Sequence, residues 1–274
     1  MQTVRHKTSI AHLFNSLIKN RELILHMSKR EIVQRYRGTI FGVSWSFLQP
    51  LIMLLVYTFV FHTVFKARWG TGESDQVQFA TILFCGLIIY NIFAECINRA
   101  PTLILNNISY VKKIIFPLEI LPWVAVVGSL FNALTSFIVL IIIFFLTNLT
   151  LHWTIIFLPI IIIPYIFFIM GITWTLSSLG VFMRDIGQLV AIFTSVFLFM
   201  TPVFYPLSAV PQKMQTVMKA NPLTFFIEES RRVVLSGELP DWQNLLIYFA
   251  YSLFVAWIGF YWFQRTRKGF ADVI

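Results

Sequence analysis

The sequence predicts an all-α membrane protein: six transmembrane helices, an N-terminal amphipathic interface helix on the cytoplasmic face, and short re-entrant outer helices between spans five and six. Three observations predict it. Of 274 residues, 58% are hydrophobic and only 12% charged, with a mean hydropathy of +0.77, too little polar surface for a soluble domain of this length. Apolar runs that meet the requirement of about 20 residues of helix for a bilayer recur along the chain. These runs are continuous and not alternating, which suits helices that satisfy their own backbone in lipid.

The chain reads as one transmembrane domain, in the order residues 1–46 (cytoplasmic amphipathic and basic segment), 47–263 (six-span bundle) and 264–274 (cytoplasmic tail). Residues 1–22 hold Arg5, Lys7, Lys19 and Arg21 without an apolar run between them, so no signal peptide is expected. Ile10, Leu13, Phe14, Leu17, Ile18, Ile24 and Leu25 recur at helical spacing, with His12, Asn15, Ser16, Lys19 and Glu22 on the other side. That pattern predicts an amphipathic helix at the membrane surface. Lys29, Arg30, Arg35 and Arg37 then load positive charge against the lip of the first span.

The predicted spans are Phe47–Phe65, Val77–Ile97, Trp123–Leu146, Ile155–Val181, Ile186–Tyr205 and Leu245–Phe263. Cys85 and Cys96 fall on one helix and are poor disulfide partners. At the inner end of the second span Glu95 and Arg99 have the spacing for an ion pair. Between spans two and three, Asn98–Ile120 forms the larger cytoplasmic connection, and Met183–Gly187 forms a tight charged turn before span five. The outer segment 206–242 is punctuated by Pro206, Pro211, Pro222 and Pro240. It predicts helices at Gln212–Ala220 and Leu223–Leu235, the second with Glu228 placed to pair with Arg231 or Arg232.

With the N-terminus inside, the outer side receives only Lys66, Arg68, Lys213, Lys219, Arg231 and Arg232 of the 21 Lys and Arg residues. The positive-inside rule thus puts both termini in the cytoplasm, where anionic lipid attracts the basic run. The net charge of +9 reflects this bias and calls for no nucleic acid.

Sequence signatures of catalysis are missing. The chain has no phosphate-binding G-x-x-x-x-G-K-[ST] loop, no G-x-S-x-G, no H-E-x-x-H and no C-x-x-C. His6, His12, His26, His62 and His152 show no metal-ligand spacing. Glu228 and Glu229, adjacent on a helix, point about 100° apart and are poor partners across a substrate.

Five stretches carry a family resemblance: RYRGTIFGVSWSFLQP (35–50), VKKIIFPLEILPW (111–123), MRDIGQLV (183–190), TPVFYPLSAVP (201–211) and NPLTFFIEESRRVVL (221–235). In this order they resemble the membrane permeases of ABC transporters that export O-antigen, capsule or wall teichoic acid, nearly end to end. The YRGTIFG form is more similar to the O-antigen and teichoic-acid exporters than to the capsule branch. The resemblance implies a half-transporter in a bacterial inner membrane. Two copies would form the channel, two copies of a separate ATPase would dock below, and ATP and Mg would sit on that partner with no cofactor in this chain.

It also implies site residues. Coupling to the ATPase would fall on the Leu13–Leu25 helix and the cytoplasmic connections, hence Leu13, Leu17, Glu22, Lys112, Lys113, Arg184 and Asp185. The family lines its channel with spans one and five; here Met53, Tyr57 and Phe61 share a face of the first, and Phe193, Phe197, Met200 and Phe204 a face of the fifth. Aromatic rings suit the C–H faces of a sliding sugar chain. Arg35 and Arg37 would meet the diphosphate head group of a polyprenyl-linked polysaccharide; lipid anchoring explains them as well. A membrane glycosyl- or acyltransferase would need a polar catalytic constellation. An ATP-independent flippase or channel would not need an extended cytoplasmic docking surface.

Overall fold

The computed structural model describes residues 10–60, 76–112 and 116–273. The N-terminal segment folds as two helices, α1 (Ile10–Lys19) and α2 (Arg21–Tyr36), where one amphipathic helix through Leu25 was expected. The break is at Asn20, whose side-chain amide donates back to the Ser16 carbonyl at 2.9 Å, a local bond that competes with helix continuation. The apolar stripe of α1 faces the bundle. Leu13 is buried, Phe14 meets Phe167 edge-on at 5.6 Å, and His12 tilts against Phe260 at 6.3 Å.

Long apolar helices follow: α3 (Trp45–Tyr57), α4 (Gln76–Arg99), α6 (Leu121–Asn148), α7 (Leu158–Phe182) and α11 (Trp242–Thr266). With their flanking turns, five stretches are long and apolar enough to cross a bilayer: Gly42–Val60, Phe79–Thr102, Leu118–Asn148, Trp153–Phe182 and Trp242–Val273. The predicted fifth span is shorter than expected. Its helix, α8, covers Ile186–Phe199, 14 residues, or about 21 Å at 1.5 Å per residue against a hydrocarbon core of about 30 Å. It stops where Pro202 disfavours helical geometry for Thr201.

Short helices complete the chain. The connection after α4 holds α5 (Ile108–Val111). In the outer segment α9 spans Gln212–Ala220, as predicted. Next comes α10 (Pro222–Arg231), capped by Asn221 and continued by a π turn, Arg232–Ser236, that Gly237 ends at a φ of +70°. Asp241 caps α11 through the Asn244 amide at 3.1 Å, and α12 (Phe270–Val273) closes the tail. Among the described residues there is no strand.

α4 is the axis of the bundle and packs against α3, α6, α7, α8 and α10. The most extensive helix pair is α7 with α11. A Cβ on Gly259 would sit 2.0 Å from the Gly171 carbonyl oxygen, and one on Gly171 would sit 2.3 Å from that of Val255. Only glycine lets these backbones touch. The bundle has a basic end, where α1 and α2 dock, and a far end, where α9 and α10 pack.

Candidate functional site

Charge networks at the basic end tie the N-terminal helices to the spans. From α2, Arg35 Nη2 donates to Glu95 Oε1 of α4 at 2.6 Å, and Glu31 pairs with Arg99. Asn132 of α6 donates to Glu95 Oε2 at 2.9 Å, and Tyr36 donates to Asn132 Oδ1 at 3.3 Å. Glu95 and Arg99 do approach each other, at 3.8 Å, yet each has a closer partner on α2. Burial alone would lower the proton affinity of Arg35; the Glu95 charge and hydrogen bond outweigh it and leave the guanidinium above its ordinary range. Of the two predicted head-group arginines, Arg35 is therefore engaged by a carboxylate. Arg37 is exposed and has no ion pair among the described residues.

A second network lies under α1. Glu119, buried ahead of α6, accepts from Arg267 Nη1 at 2.5 Å and from Ser16 Oγ at 3.3 Å. Arg267 Nη2 also donates to the Phe116 carbonyl at 2.7 Å, and Trp174 Nε1 to the Glu119 carbonyl at 3.1 Å. α1, the entry to α6, α7 and the tail after α11 thus meet at one residue, Glu119.

The predicted coupling residues divide by burial. Leu13 is buried and Leu17 packs on the core, whereas Glu22, Lys112, Arg184 and Asp185 are exposed. Gly180 brings the Met183–Asp185 turn against Pro101, since a Cβ there would sit 2.0 Å from the Pro101 carbonyl oxygen. The turn and the connection after α4 therefore adjoin. Lys113 lies outside the described residues, as do Arg5, Lys7, His6, His62, Lys66 and Arg68.

The predicted pore residues lie beside two cavities. Met53 and Tyr57 line a cavity of 360 Å³ between α3, α4 and α6 whose walls are part polar and part apolar, together with Tyr36, Glu95 and Asn132. Phe193, Phe197 and Met200 line an apolar groove of 650 Å³ between α8, α7 and α11. There Phe193 and Phe197 pack at 4.3 Å, and Phe197 lies 6.4 Å from Phe93 of α4. Phe204 is not on the α8 face: it lies past the helix end, in the turn after Met200, 5.7 Å from Phe199. Phe61 is outside the described residues.

At the far end Arg231 is buried in α10. It donates to the carbonyls of Ile82 at 3.0 Å, Pro202 at 2.5 Å and Val203 at 3.0 Å, and pairs with Glu228 at 2.9 Å. Arg232 pairs with Glu229 at 2.8 Å and Glu238 at 3.3 Å, and not with Glu228 as one expected spacing had it. Burial raises the Glu229 carboxyl above its usual range, against the Asp241 amide and Arg232.

Sequence reasoning did not single out Glu31, Arg267 or the anchoring role of Arg231. The first had a visible signal, a lone acid inside a basic run. The others take partners far along the chain, which periodicity cannot reveal. Among the described residues no three His, Cys, Asp or Glu side chains gather as metal ligands.

Residues 22–235 match the family described as ABC-2 type transporter. The chain is similar to the O-antigen export system permease protein RfbA of Myxococcus xanthus, 26% identical over 96% of this chain and 99% of the relative. A protein of the same name from Klebsiella pneumoniae is 24% identical over 99% of this chain and 100% of its own length. The polysialic acid transport protein KpsM of Escherichia coli is 23% identical over 87% of this chain and 91% of its own.

Proposed function

The chain belongs to the ABC-2 type transporter family, and from that premise we propose that it is the membrane permease of an exporter for polyprenyl-diphosphate-linked polysaccharide, O-antigen first among the candidates. The observation that carries the substrate class is the end-to-end similarity to permeases named for O-antigen export. The similarity to KpsM covers less of the chain, and capsular polysaccharide or teichoic acid is the alternative substrate.

In this reading α8 and its turn act as the sixth crossing, both termini are cytoplasmic, and α9 and α10 re-enter the outer leaflet. Two copies enclose the path in a bacterial inner membrane. Two ATPase chains, holding ATP and Mg, dock at the basic end against Glu22, Lys112, Arg184 and Asp185, which are exposed there. Motion passes inward through two rigid links: Arg35–Glu95 with Glu31–Arg99, and Glu119–Arg267. Ion pairs braced by further hydrogen bonds hold their geometry, so a push on α1 or α2 moves α4, α6 and α11 and is not lost in side-chain motion. Arg37 remains available to a diphosphate head group.

Deletion of the gene tests this. Lipid-linked polymer trapped inside the cell and missing from the surface is the expected result. Absence of polymer everywhere would overturn export in favour of synthesis.

A further inference from the structure

We propose that the part-polar cavity between α3, α4 and α6 is a binding station for sugar hydroxyls, with Gln49 and Asn91 as its contact residues. The proposal rests on the export reading above.

Gln49 on α3 and Asn91 on α4 both line this cavity. Both are exposed, and neither has a hydrogen-bond partner among the described residues. Their neighbours are satisfied: Tyr36, Asn132 and Glu95 bond one another in sequence. Unpartnered amides at membrane depth are costly and persist where they face a water-filled path or another polar group. Gln49 and Asn91 lie inside the spans Gly42–Val60 and Phe79–Thr102, so the face they share does not suit lipid.

The charge balance selects the ligand. The one carboxylate that lines the cavity, Glu95, is matched by Arg35 at 2.6 Å and Arg99 at 3.8 Å, and Arg99 pairs in turn with Glu31. No net positive charge is left for a diphosphate, so the site suits a neutral partner. An amide offers both an acceptor oxygen and two donor hydrogens, which complements a hydroxyl, itself donor and acceptor. Further along α3, Met53 and Tyr57 stand one and two turns beyond Gln49 on the cavity wall and give the C–H face of a sugar ring an apolar surface. At 360 Å³ the space is at the small end of ligand sites, which begin at about 300 Å³; it holds a short stretch of a glycan and not its bulk.

The test uses the full-length chain with its ATPase in a host deleted for this gene. Wild-type complementation must first restore surface polymer; if it does not, the export reading fails and not this site. The double variant Gln49→Leu/Asn91→Leu keeps side-chain size and suits a membrane helix. It should lower surface polymer about tenfold or more, as expected for two lost hydrogen bonds, with polymer accumulating inside. Surface polymer unchanged at equal membrane level would overturn the proposal. A second measurement does not depend on the double variant folding. Gln49→Cys and Asn91→Cys are treated with a charged, water-soluble methanethiosulfonate; the native Cys85 and Cys96 are fully buried, and the wild-type chain serves as the blank. Labelling is expected, and it should be slower in cells making the polymer than in cells that make none. Equal labelling in the two would assign the site to water or lipid. No labelling, with disulfide-linked pairs of the chain, would make this face a seam between two copies. Either overturns the proposal.

Discussion

Gly86 and Arg231 share one space: a Cβ on Gly86 of α4 would lie 2.4 Å from Arg231 Nη2. The missing side chain on one helix is the room for the guanidinium of the other. Three backbone carbonyls at the far end depend on that guanidinium for their hydrogen bonds. Gly86→Ala should push Arg231 out of place and cost about 1–3 kcal/mol, the range for overpacking. Thermal unfolding in detergent reads this directly. Arg231→Lys should destabilise too, because a lysine cannot serve several acceptors with a planar fork.

The Glu119–Arg267 pair is mostly buried, with side-chain exposures of 10% and 14%. Removing one partner leaves a buried charge, so Glu119→Gln and Arg267→Gln should each cost about 3–5 kcal/mol. The double replacement by leucine should cost less than the two together. A double-mutant cycle by denaturation checks this, and strict additivity would show that the pair carries no coupling.

Asp241 at the start of α11 accepts from the Asn244 backbone amide and side chain, which hold its carboxyl below the usual range. A depressed pKa means stability that is present above the unfolded value and lost as pH falls through the folded one. Melting temperature should therefore drop below about pH 4, and Asp241→Asn should flatten part of that drop. Identical pH profiles for the two chains would remove the cap as the cause.

Tyr57→Ala and Phe197→Ala change one ring beside each membrane cavity. Both should lower surface polymer while leaving the amount of protein in the membrane unchanged. Export that survives both would take these rings out of the transport path.

Much of the fold is legible from runs alone. Continuous apolar sequence located five spans, and the prolines at 211 and 222 bounded α9 at Gln212–Ala220. What escaped depends on contacts that no local pattern holds. Asn20 breaks the N-terminal helix through its own amide, and α1 lies on Phe167 and Phe260 because those rings lie close enough to meet it. Glu95 and Arg99 have ideal helical spacing, yet α2 passes near enough for Arg35 and Glu31 to outcompete it. The apolar run at 186–205 says nothing of where the helix ends, and Phe204 fell off its face as a result.

The glycine contact between α7 and α11 also bears on biogenesis. Among the described residues α11 is made after every other long helix, and its seat on α7 is a strip of bare backbone at Gly171. Until Gly259 arrives that strip has no partner, and Glu119 waits for Arg267 from the same late segment. The bundle can thus insert span by span but lock only once α11 has been made. Chains truncated before α11 should enter the membrane, remain loosely packed and be cleared by membrane proteases, so that only copies that carry α11 persist to assemble.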